Sequence, residues 1–554
     1  MTRSRMRSLP LSWEIIYYVV ITIIFGTGIW LRFQVPSVPF IENDSWDYLT
    51  PIFNRFGQNA FSSTFREFLY PFLLECMFWV YPNFTTIVVV QHIAGFLAAI
   101  ILIITWHRMR VFLPGEKFVD ILHRFGGCVL TAAYFLPNVT IFLEHAIRPE
   151  IFFQLSIALC LFLATEFSRK TFRTYYFGVR AGVLGIFLIF FSLVAYCLRP
   201  YFGFGIVCAL LPMIIALVTI PGKWVTKCSS VAFGLMLVYA LLIIPNKRFH
   251  SITKNTSTTK NANLAQMLFA SSGDVIYDLL QEDIRALSAE DQRRPILESL
   301  LRAMDQISYS PRIVYGFTRL YPDDVLYRGP IDNLRQHLHG DEKRMKDFCY
   351  RYYFRAWKTH PFRMIKKVIV HLWYFYSPIG GRVFECGGKV ITPVRIQKNV
   401  EALQNEYSLS YGWPPYQDYM RRSIALQQTT LQAVKIPIFM KILGICMNAL
   451  YSCSLVLTLF FTIALHFSWL RNEAKSTSFK RASIWACYLF SYNFGMSLTI
   501  AVVHEMPQYR YHFGQTLFSA LSECFALVFL AVMISFIRQR RIHGKVSEPI
   551  AKHA

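Results

Sequence analysis

The run IIYYVVITIIFGTGIWL, Ile15–Leu31, decides how the chain is read. It carries no charged side chain, and a stretch of about 20 apolar residues is what an α-helix needs to cross a bilayer. The basic segment MTRSRMR, Met1–Arg7, precedes it, and RFQVPSVPF follows it with no small-x-small cleavage site. A retained first membrane helix is therefore expected in place of a removed signal peptide. Similar runs recur along the 554 residues, of which 54% are hydrophobic, including 49 Phe and 30 Tyr. The expected fold is an all-α polytopic membrane protein of about ten transmembrane helices with a mixed, mainly helical extracytoplasmic domain.

The expected spans are 13–33, 85–106, 126–143, 150–167, 181–197, 203–220, 229–245, 441–467, 483–503 and 515–537. Between them the basic loops fall in a consistent order. The amino terminus, WHRMR, SRKTFRTYYFGVR (Ser168–Arg180), PGKWVTK, RNEAKSTSFKR (Arg471–Arg481) and the tail RQRRIHGK all reach one side. The positive-inside rule makes that side cytoplasmic, with both termini on it. The formal net charge of +24 is thus explained by topology and anionic headgroups, and no nucleic-acid partner is expected. The 12 cysteines are scattered, many in apolar runs, and read as small hydrophobes; Cys349 and Cys386 could pair in an oxidising space.

Four features fall on the opposite face: the first outer loop at about 34–84, the turn LEHAIRPE (Leu143–Glu150), the segment from Asn246 to about Lys435, and HEMPQYRYH (His504–His512). Three regions follow: a bundle over 1–245, an extracytoplasmic domain over 246–435, and the last helices with a cytoplasmic tail over 436–554. Within the domain, Gly273–Ile307 interleaves charges with Leu and Ile at helical spacing. The segment near 361–378 has a polar start and an aromatic apolar face, and reads as an interfacial helix, a further span being the alternative.

The first outer loop carries FIENDSWDYLTP, Phe40–Pro51, with Glu42, Asp44 and Asp47 within six residues. A solvated loop with helix-capping acids is the plain reading. Against it, Trp46 and Tyr48 sit among the acids, the loop starts close to the first span, and basic and aromatic residues return at the other outer turns.

This arrangement resembles the membrane glycosyltransferases of the GT-C class, which include transferases using polyprenyl-phosphate or dolichyl-phosphate sugars. DSWDYL (Asp44–Leu49) resembles the first-loop element of bacterial members, and REFLYP (Arg66–Pro71) resembles their Arg-x-x-x-Tyr-Pro stretch. The turn from Glu144 to Glu150 is similar to an E-x-x-x-R-P-E element, and a large late outer domain completes the likeness. The resemblance implies a GT-C-like fold, a lipid-linked donor, inversion at the anomeric carbon, and Asp44 as the acid acting on the acceptor nucleophile. In the dolichyl-phosphate-mannose type the element is Asp-Glu, whereas Ser45 stands second here, leaving Glu42 or Asp47 to supply any second carboxylate.

The chemistry has a physical basis. A sugar hydroxyl is a poor nucleophile, and a carboxylate can orient it and take its proton. A glycosyl phosphate leaves as a stable anion, so one base suffices and the remaining task is to stabilise phosphate charge. The candidates for that task are Arg66, His145, Arg148, Arg510 and Tyr511. Ordinary interfacial anchoring is the alternative for each. Tyr48, Tyr70, His360 and His504 are the acceptor-side or lipid-side candidates; His360 and Pro361 also match an H-P element of the resembled class, while Pro361 suits a first helical turn. No cofactor is required, although Mg²⁺ or Mn²⁺ bound by Asp44 and Glu150 is a possible variant.

The expected partners are a polyprenyl-phosphate-linked sugar, membrane lipids, and an acceptor glycan, lipid or protein, in a bacterial cytoplasmic membrane with the site outside. A transporter or flippase for a lipid-linked or polyanionic substrate is the rival reading, and a non-catalytic scaffold is a third. A transporter calls for ionisable or broken positions at mid-depth, and the apolar runs are nearly free of ionisable residues. No zinc motif, nucleophile elbow or dinucleotide fingerprint occurs.

Overall fold

The computed structural model describes residues 11–42, 44–60, 66–253, 264–307, 320, 322–376, 384, 393–405, 412–428, 437–467, 476–503 and 509–546. Helix dominates, and the one β feature among them is an isolated parallel bridge between Phe40 and Ala146. The helices from the first to the eleventh are α1 Leu11–Phe33, α2 Ser45–Ile52, α3 Leu69–Val80, α4 Thr85–Met109, α5 Lys117–Phe135, α6 Asn138–His145, α7 Glu150–Thr174, α8 Val179–Leu198, α9 Gly203–Thr219, α10 Trp224–Val238 and α11 Ile244–Thr253. They continue with α12 Leu264–Ser271, α13 Gly273–Ala286, α14 Arg294–Gln306, α15 Pro322–Tyr327, α16 Pro330–His337, α17 Glu342–Thr359 and α18 Pro361–Tyr376. The last five are α19 Pro393–Asn405, α20 Pro414–Gln428, α21 Ile438–Phe467, α22 Ser476–Val503 and α23 Tyr509–Val546.

Nine helices among the described residues are long and apolar enough to cross a membrane. A tenth crossing follows if α5 and α6, bent by 43° at their junction, count as one broken span. The sequence reading placed one span at 126–143. Pro137 explains the difference: it has no amide proton to donate and its backbone is extended, with ψ 144°, so the helix stops at Phe135 and restarts at Asn138. The helix near 361–378 is α18, 16 residues long and not among the candidate spans.

The chain forms two compact units. One comprises 1–257, 382–493 and 510–554; the other comprises 258–381 and 494–509. The second unit has its own core, in which Leu279 and Leu280 of α13, Leu300 of α14, Leu334 of α16 and Cys349 of α17 are buried. Apolar residues spaced three and four apart on these short helices supply that core. Asp341 caps α17, accepting from the amides of Lys343 and Arg344. Cys349 is a free buried thiol, and Cys386 lies outside the described residues.

The extracytoplasmic region expected over 246–435 is divided differently, because α19 and α20 belong to the first unit. Their polar side chains explain it. Asn399 accepts from the Ile41 amide at 2.8 Å, the Tyr419 hydroxyl donates to the Pro39 carbonyl at 2.7 Å, and the Tyr419 ring stacks on Phe84. In the bundle itself, close helix approach uses glycine: a Cβ on Gly95 of α4 would lie 2.2 Å from the Glu144 carboxylate of α6.

Candidate functional site

The acid loop is clipped in place by its backbone. The Phe40 amide donates to the His145 carbonyl at 2.8 Å, and the Ile147 amide donates to the Phe40 carbonyl at 3.0 Å. Ser45, fully buried, adds a side-chain pin: its hydroxyl donates to the Ile147 carbonyl at 3.0 Å and accepts from the Glu42 amide at 2.8 Å. Ser45 thus ties the acid loop to the Arg-Pro turn before α7.

Asp44 stands at the N-cap of α2 but makes no side-chain cap hydrogen bond. Its carboxylate faces two arginines: Oδ1 lies 3.0 Å from Nη2 of Arg66, and Oδ2 lies 3.3 Å from Nη2 of Arg148. The same Arg66 nitrogen lies 2.9 Å from Oδ2 of Asp47, and Arg66 Nε reaches that oxygen at 3.1 Å. Beyond Arg148 comes Glu150, in the first turn of α7, 4.0 Å from Arg148 Nη1 and in direct contact with Nη2 of Arg199. The order Asp47, Arg66, Asp44, Arg148, Glu150, Arg199 is an alternating ladder of three carboxylates and three guanidinium groups, formally neutral.

The ladder is largely withdrawn from solvent, which governs its titration. Burial raises the Asp47 carboxyl above its ordinary range, with Arg66 opposing the rise. Burial opposes the charges of Arg66 and Arg199, but acidic neighbours outweigh it: Tyr48, Asp44 and Asp47 for Arg66, and Glu150 foremost for Arg199. Both guanidinium groups are held firmly charged. Nε of Arg148 and Nε of Arg199 are buried and find no hydrogen-bond partner among the described residues, so the ladder leaves cationic donors unspent.

Aromatic groups wall one side. The Arg66 guanidinium lies 5.5 Å from the Tyr48 ring centre, Tyr48 meets Tyr70 edge to face, and the Arg199 guanidinium lies 5.7 Å from the Tyr201 ring centre. The Tyr70 hydroxyl donates to Gln91, whose amide nitrogen donates in turn to the carbonyls of Glu144 and Ala146. Burial pushes the Tyr70 hydroxyl well above its ordinary range, so it serves as a neutral donor.

Behind this wall lies a second charged group. Arg32, at the end of α1, binds Glu144 through two bonds of 2.6 Å, and His92 Nδ1 lies 2.6 Å from the same carboxylate. Arg32 also donates to the carbonyls of Gly28 and Phe135, so each of its three guanidinium nitrogens has a partner.

The structure therefore brings Asp44, Asp47, Arg66, Arg148, Glu150, Tyr48 and Tyr70 together. Glu42 lies beside them, but its carboxylate forms no ion pair among the described residues. His145 is buried behind the clip, its Nδ1 held 2.9 Å from the Ile141 carbonyl and its ring packed on His92. His360 ends α17 in the other unit. Arg510 and Tyr511 fall in the first turn of α23, and His504 lies outside the described residues.

Arg199 was missed by the sequence reading, although its signal was present. Arg199-Pro200 follows one apolar run just as Arg148-Pro149 precedes another, and the two place their arginines at the same group of helix ends. As for a divalent cation, Asp44 and Glu150 already face guanidinium groups, and no group of three or more candidate ligands occurs among the described residues. That donor set does not fit a metal.

The spans and the site define an all-α, multi-pass integral membrane protein with a buried charge ladder at one group of helix ends. No family model, no curated protein and no solved structure matches the chain.

Proposed function

We propose that the chain is an inverting membrane glycosyltransferase that moves a sugar from a polyprenyl phosphate to an acceptor glycan, lipid or protein on the extracytoplasmic face. One observation carries this reading: the Asp44 carboxylate bridges Arg66 and Arg148 beside a third arginine, Arg199, at the helix ends. The basic loops at the opposite ends of the spans support the orientation.

The ladder couples donor binding to base strength. While Asp44 shares two guanidinium groups, its charge is stabilised and it is a weak base. A donor phosphate diester brings one negative charge and competes with Asp44 for Arg66 and Arg148. As those arginines turn to the phosphate, Asp44 loses its counter-charges and its proton affinity rises. The acceptor hydroxyl then gives its proton to Asp44 as its oxygen bonds to the anomeric carbon. On the opposite side the bond from that carbon to the phosphate oxygen breaks, and the phosphate leaves with the electron pair. The phosphate gains charge in this step, so the unspent donors of Arg148 and Arg199 act most strongly in the transition state.

The test is sugar transfer in proteoliposomes with a panel of radiolabelled polyprenyl-phosphate sugars, with and without chelator. Asp44→Asn, checked for folding, is expected to lower turnover about 10²- to 10⁴-fold. Wild-type activity in that variant would overturn Asp44 as the base, and loss on chelation would contradict the metal-free chemistry. A transporter would instead move an intact lipid-linked substrate across the vesicle wall with no new glycosidic bond.

A further inference from the structure

Glu523 lies in α23, eight residues into the apolar span 515–537 read from the sequence. At 1.5 Å per residue that is about 12 Å into a hydrocarbon layer about 30 Å thick, towards the middle. Its side chain is fully buried, and both carboxylate oxygens are without a hydrogen-bond partner among the described residues. An ionised carboxylate left so is far costlier than a neutral acid, and such groups in membrane helices ordinarily carry a proton.

Gln515, Ser519 and Glu523 recur every four residues, on one face of α23. Asn493 of α22 joins the first two, its amide nitrogen donating to Gln515 and to the Ser519 hydroxyl at 2.8 Å each. The stripe begins at the N-terminal end of the span and ends at the acid. On the same helix Phe525 packs on Trp106 of α4, and Phe518 on Tyr492 of α22. The titratable groups at or next to these ring contacts include Cys524 beside it, Tyr488 and Tyr492 on α22, and His123 of α5, stacked on Trp106. None of them bonds the carboxyl, and no Lys, Arg or His pairs with it among the described residues.

We propose that Glu523 is a reversible proton-binding site inside the membrane, carried as a neutral acid, and that the Gln515–Ser519–Asn493 stripe is the route by which its proton exchanges. The site is separate from the Asp44 ladder and does not depend on the glycosyltransferase reading. It gives the chain one ionisable group at mid-depth, the feature expected of proton-handling membrane proteins.

Infrared spectroscopy of the full chain in lipid nanodiscs tests this. At neutral pH the wild type should show the carbonyl band of a protonated carboxylic acid, shifted in D₂O and absent from Glu523→Gln. Gln matches the neutral acid in shape, so the variant should fold. If it does not, Glu523→Asp keeps the acid and should move the band. Exchange of the band into D₂O should slow several-fold in Ser519→Ala. A wild-type spectrum without the band, or a band unchanged in Glu523→Gln and Glu523→Asp, overturns the site. Equal exchange in Ser519→Ala overturns the route.

Discussion

Replacing Glu144 by Gln should cost far more than its single lost charge suggests. Glu144 is fully buried and receives three bonds of 2.6 Å, two from Arg32 and one shared with His92. Gln keeps the volume but offers one acceptor oxygen, and turns an NH₂ group towards a guanidinium that has only donors. Arg32, 7% exposed, would then be a buried charge without its counter-charge. Removing one partner of such a pair costs about 3–5 kcal/mol. Gly95 admits no compensating shift of α4, since its position already lies against the carboxylate. Reversible unfolding of the purified protein in mixed micelles, titrated with SDS, measures the loss. The double variant Arg32→Met, Glu144→Gln removes both charges and should recover most of it. A Glu144→Gln variant within about 1 kcal/mol of wild type, or a double variant as unstable as the sum of the singles, would refute the reasoning.

Four further outcomes are expected. On the proposed reading, Arg199→Lys keeps the charge but loses the unspent Nε donor, and should lower kcat about tenfold with the apparent donor KM little changed, read in the proteoliposome assay. Gly95→Ala forces a methyl group against the Glu144 carboxylate and should destabilise by about 1–3 kcal/mol, measured by the same SDS titration. Asp47 has its folded-state pKa raised by burial, so its contribution to stability is full below the unfolded value and is lost as pH rises through the folded value. Thermal melts from pH ~4 to ~7 should therefore show Asp47→Asn gaining on wild type as pH increases, and parallel profiles would contradict this. Asp341→Ala removes the cap of α17 and should lower the stability of its unit by about 1 kcal/mol, visible as faster amide exchange in Lys343 and Arg344.

Spans could be read from sequence because membrane insertion depends on little more than a continuous apolar length. The grouping of Asp44, Asp47, Arg66 and Arg148 was legible for a related reason: the topology expected from the basic loops puts them on one face, leaving few alternatives for pairing. What escaped depends on contacts between distant segments. Ser45 looked like a departure from a carboxylate pair, yet it is the pin that holds the loop to Ile147. His145 stood at the right turn, but its orientation is set by its own helix, which bonds it to Ile141. The stacking of α19 and α20 on the acid loop left no local signal, since Asn399 and Tyr419 are ordinary residues until Ile41 and Pro39 meet them. Glu523 was lost among apolar neighbours, because one acid barely alters a hydropathy average.

The bonds from Asn399 and Tyr419 to the acid loop span 358 and 380 residues of chain. Asp44 is synthesised within the first tenth of the protein, but the helices that brace its loop emerge only after some three quarters of translation. Segments fold in roughly the order in which they are made, so the nascent bundle must carry an unbraced acid loop for most of its synthesis. Chains that stop before α20 would insert their early spans and still lack this brace. Completion of the charge ladder's bracing is thereby tied to near-completion of the polypeptide.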